Sequence, residues 1–233
     1  MEQIFTLGGG GFSMEPDNLA LDQYILDQCE TDRPKVCFLG QASAEHPDYL
    51  VRFYKAFASL DSTPSHLSLF QPHTAKIRDF ILSQDVIYVG GGNTKSLLAL
   101  WREWKLDIYL REALQNGTTL AGISAGCICW FEQGTTDSIS GKLTVLDCLG
   151  YLKGSCSPHY DGEAERRPTY HRMIQSDEIL AGHAFDDGAC GHFINGELHG
   201  VVSSRPNARG YFVQKGDKSA SETMLETHYL LAD

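Results

Sequence analysis

A serine set between glycines is the first residue of this sequence that could do covalent chemistry. Gly122-Ile123-Ser124-Ala125-Gly126 follows an apolar run, Thr118 to Ile123, that suits a buried strand. Its small neighbours fit a sharp strand-to-helix turn that exposes the hydroxyl at the head of the next helix. There the Ala125 amide would be free to donate to an oxyanion. The same pentapeptide also suits a plain tight turn with a capping serine, so other strand ends must supply the rest. His159, in Ser157-Pro158-His159-Tyr160, and the acidic pair Asp186-Asp187 before Gly188 fall at such ends. Acyl transfer needs a nucleophile, an imidazole to move its proton and a carboxylate to hold the imidazole, and these positions provide all three. Singly, a histidine after proline is an ordinary surface or structural residue, and Asp-Asp-Gly is an ordinary turn.

A scaffold has to carry these residues. Ile4 to Leu7 reads as a strand running into Gly8 to Gly11. Ser13 stands where a third glycine would complete a dinucleotide fingerprint, so a nucleotide loop is disfavoured. Asp17 is expected to cap a helix through Leu19 to Leu26. Lys35 to Leu39 reads as a strand, and Pro47-Asp48 opens a helix through Leu60 whose aromatics are assigned to the core. Ser65 to Phe70 is a further expected strand, and Ile77 to Leu82 a short helix. Asp85 to Val89 then stops at Gly90-Gly91-Gly92-Asn93-Thr94, ahead of a helix from Ser96. Glycines between a strand and a helix expose amides to an anion or oxyanion. A helix over Ile108 to Gln115 leads into the strand before Ser124.

This alternation predicts an α/β protein with a mainly parallel sheet and helices on both faces. Sites in such sheets lie beyond the carboxyl ends of the strands, where both glycine loops fall. After Trp130, Thr135 to Gly141 reads as a polar loop and Leu152 to Ser157 as a strand. Glu163 to Ile174 reads as a charged helix over the site that Pro168 would break or restart. Ile179 to Ala184 reads as a strand, and the remainder as C-terminal β-hairpins around Asn195-Gly196. Residues 1–233 read as one domain.

Composition narrows the function. Nineteen basic against thirty acidic residues give a net charge of -11, which argues against nucleic-acid partners. Seven scattered cysteines without a C-x-x-C pair read as reduced, buried thiols. The N-terminus offers no signal peptide or membrane span, and a cytoplasmic protein is expected. An exposed flat sheet edge could support a homodimer, although no residue locates one.

Taken in order, Gly90-Gly91-Gly92-Asn93-Thr94, Gly122-Ile123-Ser124-Ala125-Gly126 and Ser157-Pro158-His159-Tyr160 resemble the peptidase E family. These are the S51 serine peptidases, which include aspartyl dipeptidase and cyanophycinase, and the likeness runs from Ile4 to about Val213. The resemblance implies a fold akin to class I glutamine amidotransferases, with no cofactor. It implies Ser124 as nucleophile, His159 as general base, and Gly91 with Ala125 as oxyanion hole. Aspartyl dipeptidases orient the histidine with the glutamate of a Pro-Glu-Gly segment, where this chain has Asp186-Asp187-Gly188. Asp187 is the favoured orienting acid, Asp137 the second choice, and Asp186 an additional acid. Small peptides are the implied substrates, with Asn93, Arg167 and Arg172 as binding residues and an N-terminal Asp chemically reasonable.

Three rival readings stay open at this point. A metal hydrolase could use His159, Asp161 and His183, joined by Asp186 and His192. An amidotransferase-like enzyme would need a thiol such as Cys127 at the elbow. A binding protein for peptides or amino acids could have kept the fold without the chemistry.

Overall fold

The computed structural model describes residues 1–139 and 142–230. The first half alternates strand and helix: β1 (Gln3–Leu7), α1 (Gly11–Met14), α2 (Ala20–Asp27), β2 (Lys35–Leu39), α3 (Pro47–Phe57), β3 (Thr63–His66), α4 (Ile77–Leu82), β4 (Val86–Val89), α5 (Thr94–Glu103), α6 (Leu106–Gln115), β5 (Thr119–Ile123) and α7 (Ala125–Ile128). The second half is rich in strands: β6 (Phe131–Thr136), β7 (Thr144–Asp147), β8 (Leu152–Ser157), α8 (Arg166–Gln175), β9 (Gly182–Phe185), β10 (Ala189–Ile194), β11 (Glu197–Ser203), β12 (Gly210–Gln214), β13 (Ser221–Met224) and β14 (Thr227–Tyr229).

The larger sheet has the order β14-β11-β10-β1-β5-β4-β2-β3. Strands β1, β5, β4, β2 and β3 run parallel, and β10 and β11 extend the sheet antiparallel beyond β1. Side-chain alternation explains why helices cover both faces. Val36 and Phe38 of β2 join a cluster with Leu21 and Ile25 of α2 and Phe53 and Phe57 of α3. Cys37 and Leu39 point the other way, toward Leu97 and Trp101 of α5 and Leu110 of α6. The hairpin expected at Asn195-Gly196 joins β10 to β11, with φ of 51° and 86° at the two turn residues, as a type I′ turn requires.

A second sheet, β13-β12-β9-β8-β6-β7, stands beside the first. It goes beyond the sequence reading. Phe131 to Thr136, partly assigned to a polar loop, forms β6, which pairs parallel with β8 and antiparallel with β7. Of that expected loop, Ser140 and Gly141 lie outside the described residues. Phe131, Leu152, Cys156 and Phe185 of this sheet belong to the same buried cluster as Trp101 and Leu120, so the two sheets share one core. Tyr170, Met173 and Ile174 place α8 over Ala184 and Val213.

Three local expectations are corrected. Pro168 is the third residue of α8 and does not break it, because a first-turn residue has no helical acceptor for the missing N–H. Asp17 does not cap α2; the Asn18 side chain accepts from the Ala20 amide at 3.3 Å. The third strand covers Thr63–His66, ahead of the expected Ser65 to Phe70.

Candidate active site

Three consecutive carbonyls at the end of β1 hold the three loops of the site. Leu7 O accepts from the Ser124 amide at 3.1 Å, Gly8 O from His159 at 3.2 Å and Gly9 O from Gly188 at 3.1 Å. The first two residues of the four-glycine run, unexplained as a nucleotide loop, thus join Leu7 in a backbone seam on which the loops dock.

Ser124 occupies the turn between β5 and α7 at φ 57°, ψ -109°, a strained conformation for a side-chain-bearing residue. The flanking glycines are required by close packing. A Cβ at Gly122 would lie 2.3 Å from Gly126 O, and one at Gly126 would lie 2.3 Å from Val89 O. His159 follows β8 with φ 51°, so nucleophile and base candidates both sit in unusual backbone conformations.

His159 joins the other two groups. Its Nδ1 lies 2.6 Å from Asp187 Oδ1 and its Nε2 lies 2.9 Å from Ser124 Oγ. A carboxylate only accepts, so Nδ1–H donates to Asp187 and Nε2 is left to accept the serine proton. The histidine and aspartate side chains are 16% and 13% exposed, which shields their contact from solvent.

The remaining acids lie elsewhere. Asp137 is exposed beyond β6. Asp186 turns toward β12, where Oδ2 accepts from the Arg209 amide at 2.9 Å and from the Tyr211 hydroxyl at 3.3 Å. Burial pushes its carboxyl up to about 6, against the opposing Arg209 hydrogen bond. Asp187 is therefore the carboxylate that meets the imidazole.

The glycine loop differs in detail from expectation. Gly91 does lie close beside the nucleophile candidate, since a Cβ there would lie 3.2 Å from Ser124 Cβ. Its amide, however, donates to the Tyr49 hydroxyl at 3.1 Å, and that hydroxyl also bonds Ser13 Oγ at 2.8 Å. The Ala125 and Gly92 amides have no acceptor among the described residues. Asn93 caps α5 through Oδ1, 2.9 Å from the Ser96 amide, and Nδ2 donates to Ser138 O at 2.9 Å. Each end of that amide thus makes one hydrogen bond to the chain around it.

Both expected arginines are engaged in ion pairs. Arg167 pairs with Glu222 and lies over the rings of Tyr160 and Tyr211, at 5.3 Å and 4.9 Å. Arg172 pairs with Glu178 at 2.7 Å on the solvent side of α8. The buried guanidinium of this helix is Arg166, which donates to Thr135 O at 3.1 Å and Glu163 Oε2 at 2.6 Å. Sequence reading missed it because the charges of this segment look like one solvated face. Tyr49 was missed for another reason: nothing local marks one aromatic of a core helix as reaching a distant loop.

The metal-ligand set does not come together. His159 is engaged by Ser124 and Asp187, and Asp161 accepts from the Asp187 amide at 2.8 Å. The His183 ring lies among Phe185, Phe193 and Phe212, where desolvation pushes it down to about 4. The Cys127 thiol points to Cys156 at 3.6 Å, fully buried, and desolvation raises it well above its ordinary range. It is no rival to the hydroxyl.

Fold and geometry define an α/β protein with a hydroxyl, an imidazole and a carboxylate in sequence at the carboxyl ends of its parallel strands. The chain belongs to peptidase family S51, whose family model matches residues 4–201. It is 55% identical to an uncharacterized peptidase, YgaJ, of Bacillus subtilis (strain 168) over 230 residues, 99% of this chain and 100% of that protein. It is also 28% identical to peptidase E of Haemophilus influenzae over 146 residues, 58% of this chain and 64% of that one. Among solved structures, a peptidase from an acI-B1 Actinobacterium superposes with a TM-score of 0.67 at 14% identity, covering 97% of this chain and 95% of that one. That last likeness bears on the fold. Family membership makes the protein a peptidase, and among the described residues no helix is long and apolar enough to cross a membrane.

Proposed function

We propose that this peptidase is of the serine type and hydrolyses short peptides through an acyl-enzyme on Ser124. The observation that carries the reading is the single imidazole that bonds Ser124 on one nitrogen and Asp187 on the other. In the first step Ser124 Oγ attacks the scissile carbonyl while His159 Nε2 takes its proton, and Asp187 stabilises the imidazolium. The Ala125 amide at the head of α7, with an amide of the glycine loop, receives the developing oxyanion. His159 then returns the proton to the leaving amine, and water repeats the sequence to release the acyl group. The finer reading is a dipeptidase that prefers an N-terminal Asp, in keeping with the resemblance to aspartyl dipeptidases.

The test is a panel of Asp-Xaa and other dipeptides, assayed with wild type and Ser124→Ala. Hydrolysis by the wild type should fall by roughly 10⁴-fold or more in the variant. A fluorophosphonate probe should label the wild type only, and chelators should leave the rate unchanged. Equal background rates for both proteins across the panel would leave a binding protein, and rates lost to a chelator and restored by zinc would end the serine mechanism.

A further inference from the structure

We propose that Gly9, Asp161 and Gly162 form a receptacle that positions the carboxylate of residue 187, admitting an aspartate and excluding a glutamate. The inference rests on the serine-type reading above. Asp187 is fixed at both ends: its amide donates to Asp161 Oδ1 at 2.8 Å, and its Oδ1 meets His159 Nδ1 at 2.6 Å. Asp161 lies two residues beyond His159, so the histidine loop and the acid loop are tied together twice.

Between these ties the carboxylate is walled by two glycines from separate loops. A Cβ at Gly9 would lie 1.9 Å from Asp187 Oδ1, and one at Gly162 would lie 2.5 Å from Oδ2. Neither glycine is in the left-handed region, unlike Gly10 and Gly11. Backbone conformation therefore does not explain their lack of a side chain, and the space they leave for the carboxylate does. With the amide held by Asp161, one more methylene would drive the carboxylate into these walls or past Nδ1. Gly9, Asp161 and Gly162 are positioning residues that act on Ser124 through Asp187 and His159.

The experiment compares Asp187→Glu, Asp187→Ala, Asp161→Asn, Asp161→Ala and Gly162→Ala, with kcat and KM measured separately on the best dipeptide of the panel. Asp187→Glu should lower kcat by roughly 100-fold or more with KM nearly unchanged. Formate should restore part of the activity of Asp187→Ala but not of Asp187→Ala/Gly162→Ala, whose added methyl fills the receptacle. Asp161→Asn, which keeps the accepting oxygen, should stay near wild type, while Asp161→Ala should lose about tenfold in kcat. An Asp187→Glu enzyme as active as wild type, or formate rescue indifferent to the methyl at 162, would overturn the proposal. The downfield imidazole N–H signal in proton NMR needs no turnover. Gly162→Ala should shift or abolish it, and an unchanged signal would overturn the proposal. If Ser124→Ala keeps full activity, the serine reading fails, and the NMR signal still decides whether the receptacle positions the carboxylate.

Discussion

Serine at φ 57°, ψ -109° is held where only glycine is at ease, so position 124 trades stability for the placement of its hydroxyl. Ser124→Gly should therefore be inactive yet more stable by about 1 kcal/mol, a rise of roughly 2–4 °C in Tm for a chain of this size. Ser124→Ala, strained like the serine, should lose activity without that gain; a melting series on the two variants checks both. At this scale the sequence was readable where one short motif places a side chain at a strand end, as for Ser124 and His159, which the fold brings to 2.9 Å of each other. It was unreadable where the partner arrives from far along the chain. The Gly91 amide is taken by Tyr49, 42 positions away, and Arg167 is taken by Glu222, 55 positions away. Periodicity says which face of a helix is apolar; it does not say which hydroxyl will find a loop.

Among the elements, the N-terminal helices carry a buried charge problem. Asp22 of α2 accepts from the Phe12 amide at 2.7 Å, but Oδ1 has no partner, nor has the hydroxyl of Tyr88. Burial pushes its carboxyl up from 3.8 to about 7, more than the Phe12 hydrogen bond pulls it down. The folded state thus keeps a proton that the unfolded chain releases near its ordinary pKa. Stability from this group is full below that value and is lost as pH rises toward 7, by up to about 4 kcal/mol. His192, desolvated and held by Tyr24 and Gln3, is pushed down to about 4 and acts in the opposite sense. The unfolded chain gains its proton first, so that stability is lost as pH falls below 6.5. Asp22→Asn should remove the fall on the alkaline side and move the maximum of Tm to higher pH. Melting curves from pH 4 to 8 read this directly, and an unchanged maximum would refute it. The elements themselves were legible from alternating apolar positions and caps. The strands of the second sheet were less so, because β7 is short and only partly buried, and β6, though mostly buried, is polar or glycine after Phe131 and offers little apolar pattern.

For the whole molecule, the parallel sheet with helices on both faces follows from strands that are apolar on both sides; it carries Ser124 and the glycine loop at the ends of β5 and β4, while His159 and Asp187 arrive from β8 and β9 of the second sheet. Pairing between distant strands leaves no trace in one sequence. For that reason the antiparallel joining of β1 to β10, and the packing of Phe185 from the second sheet into the common core, emerged only from the fold. The three carbonyls of Leu7, Gly8 and Gly9 have a consequence for biosynthesis. They are the pegs on which loops made 117 to 179 residues further along the chain are hung, so a partly synthesised chain has the pegs well before it has the site. The same dependence predicts that trimming the first nine residues silences the protein, even where circular dichroism still registers most of its helices. A trimmed chain that still hydrolyses substrate would show that the loops find one another without their peg.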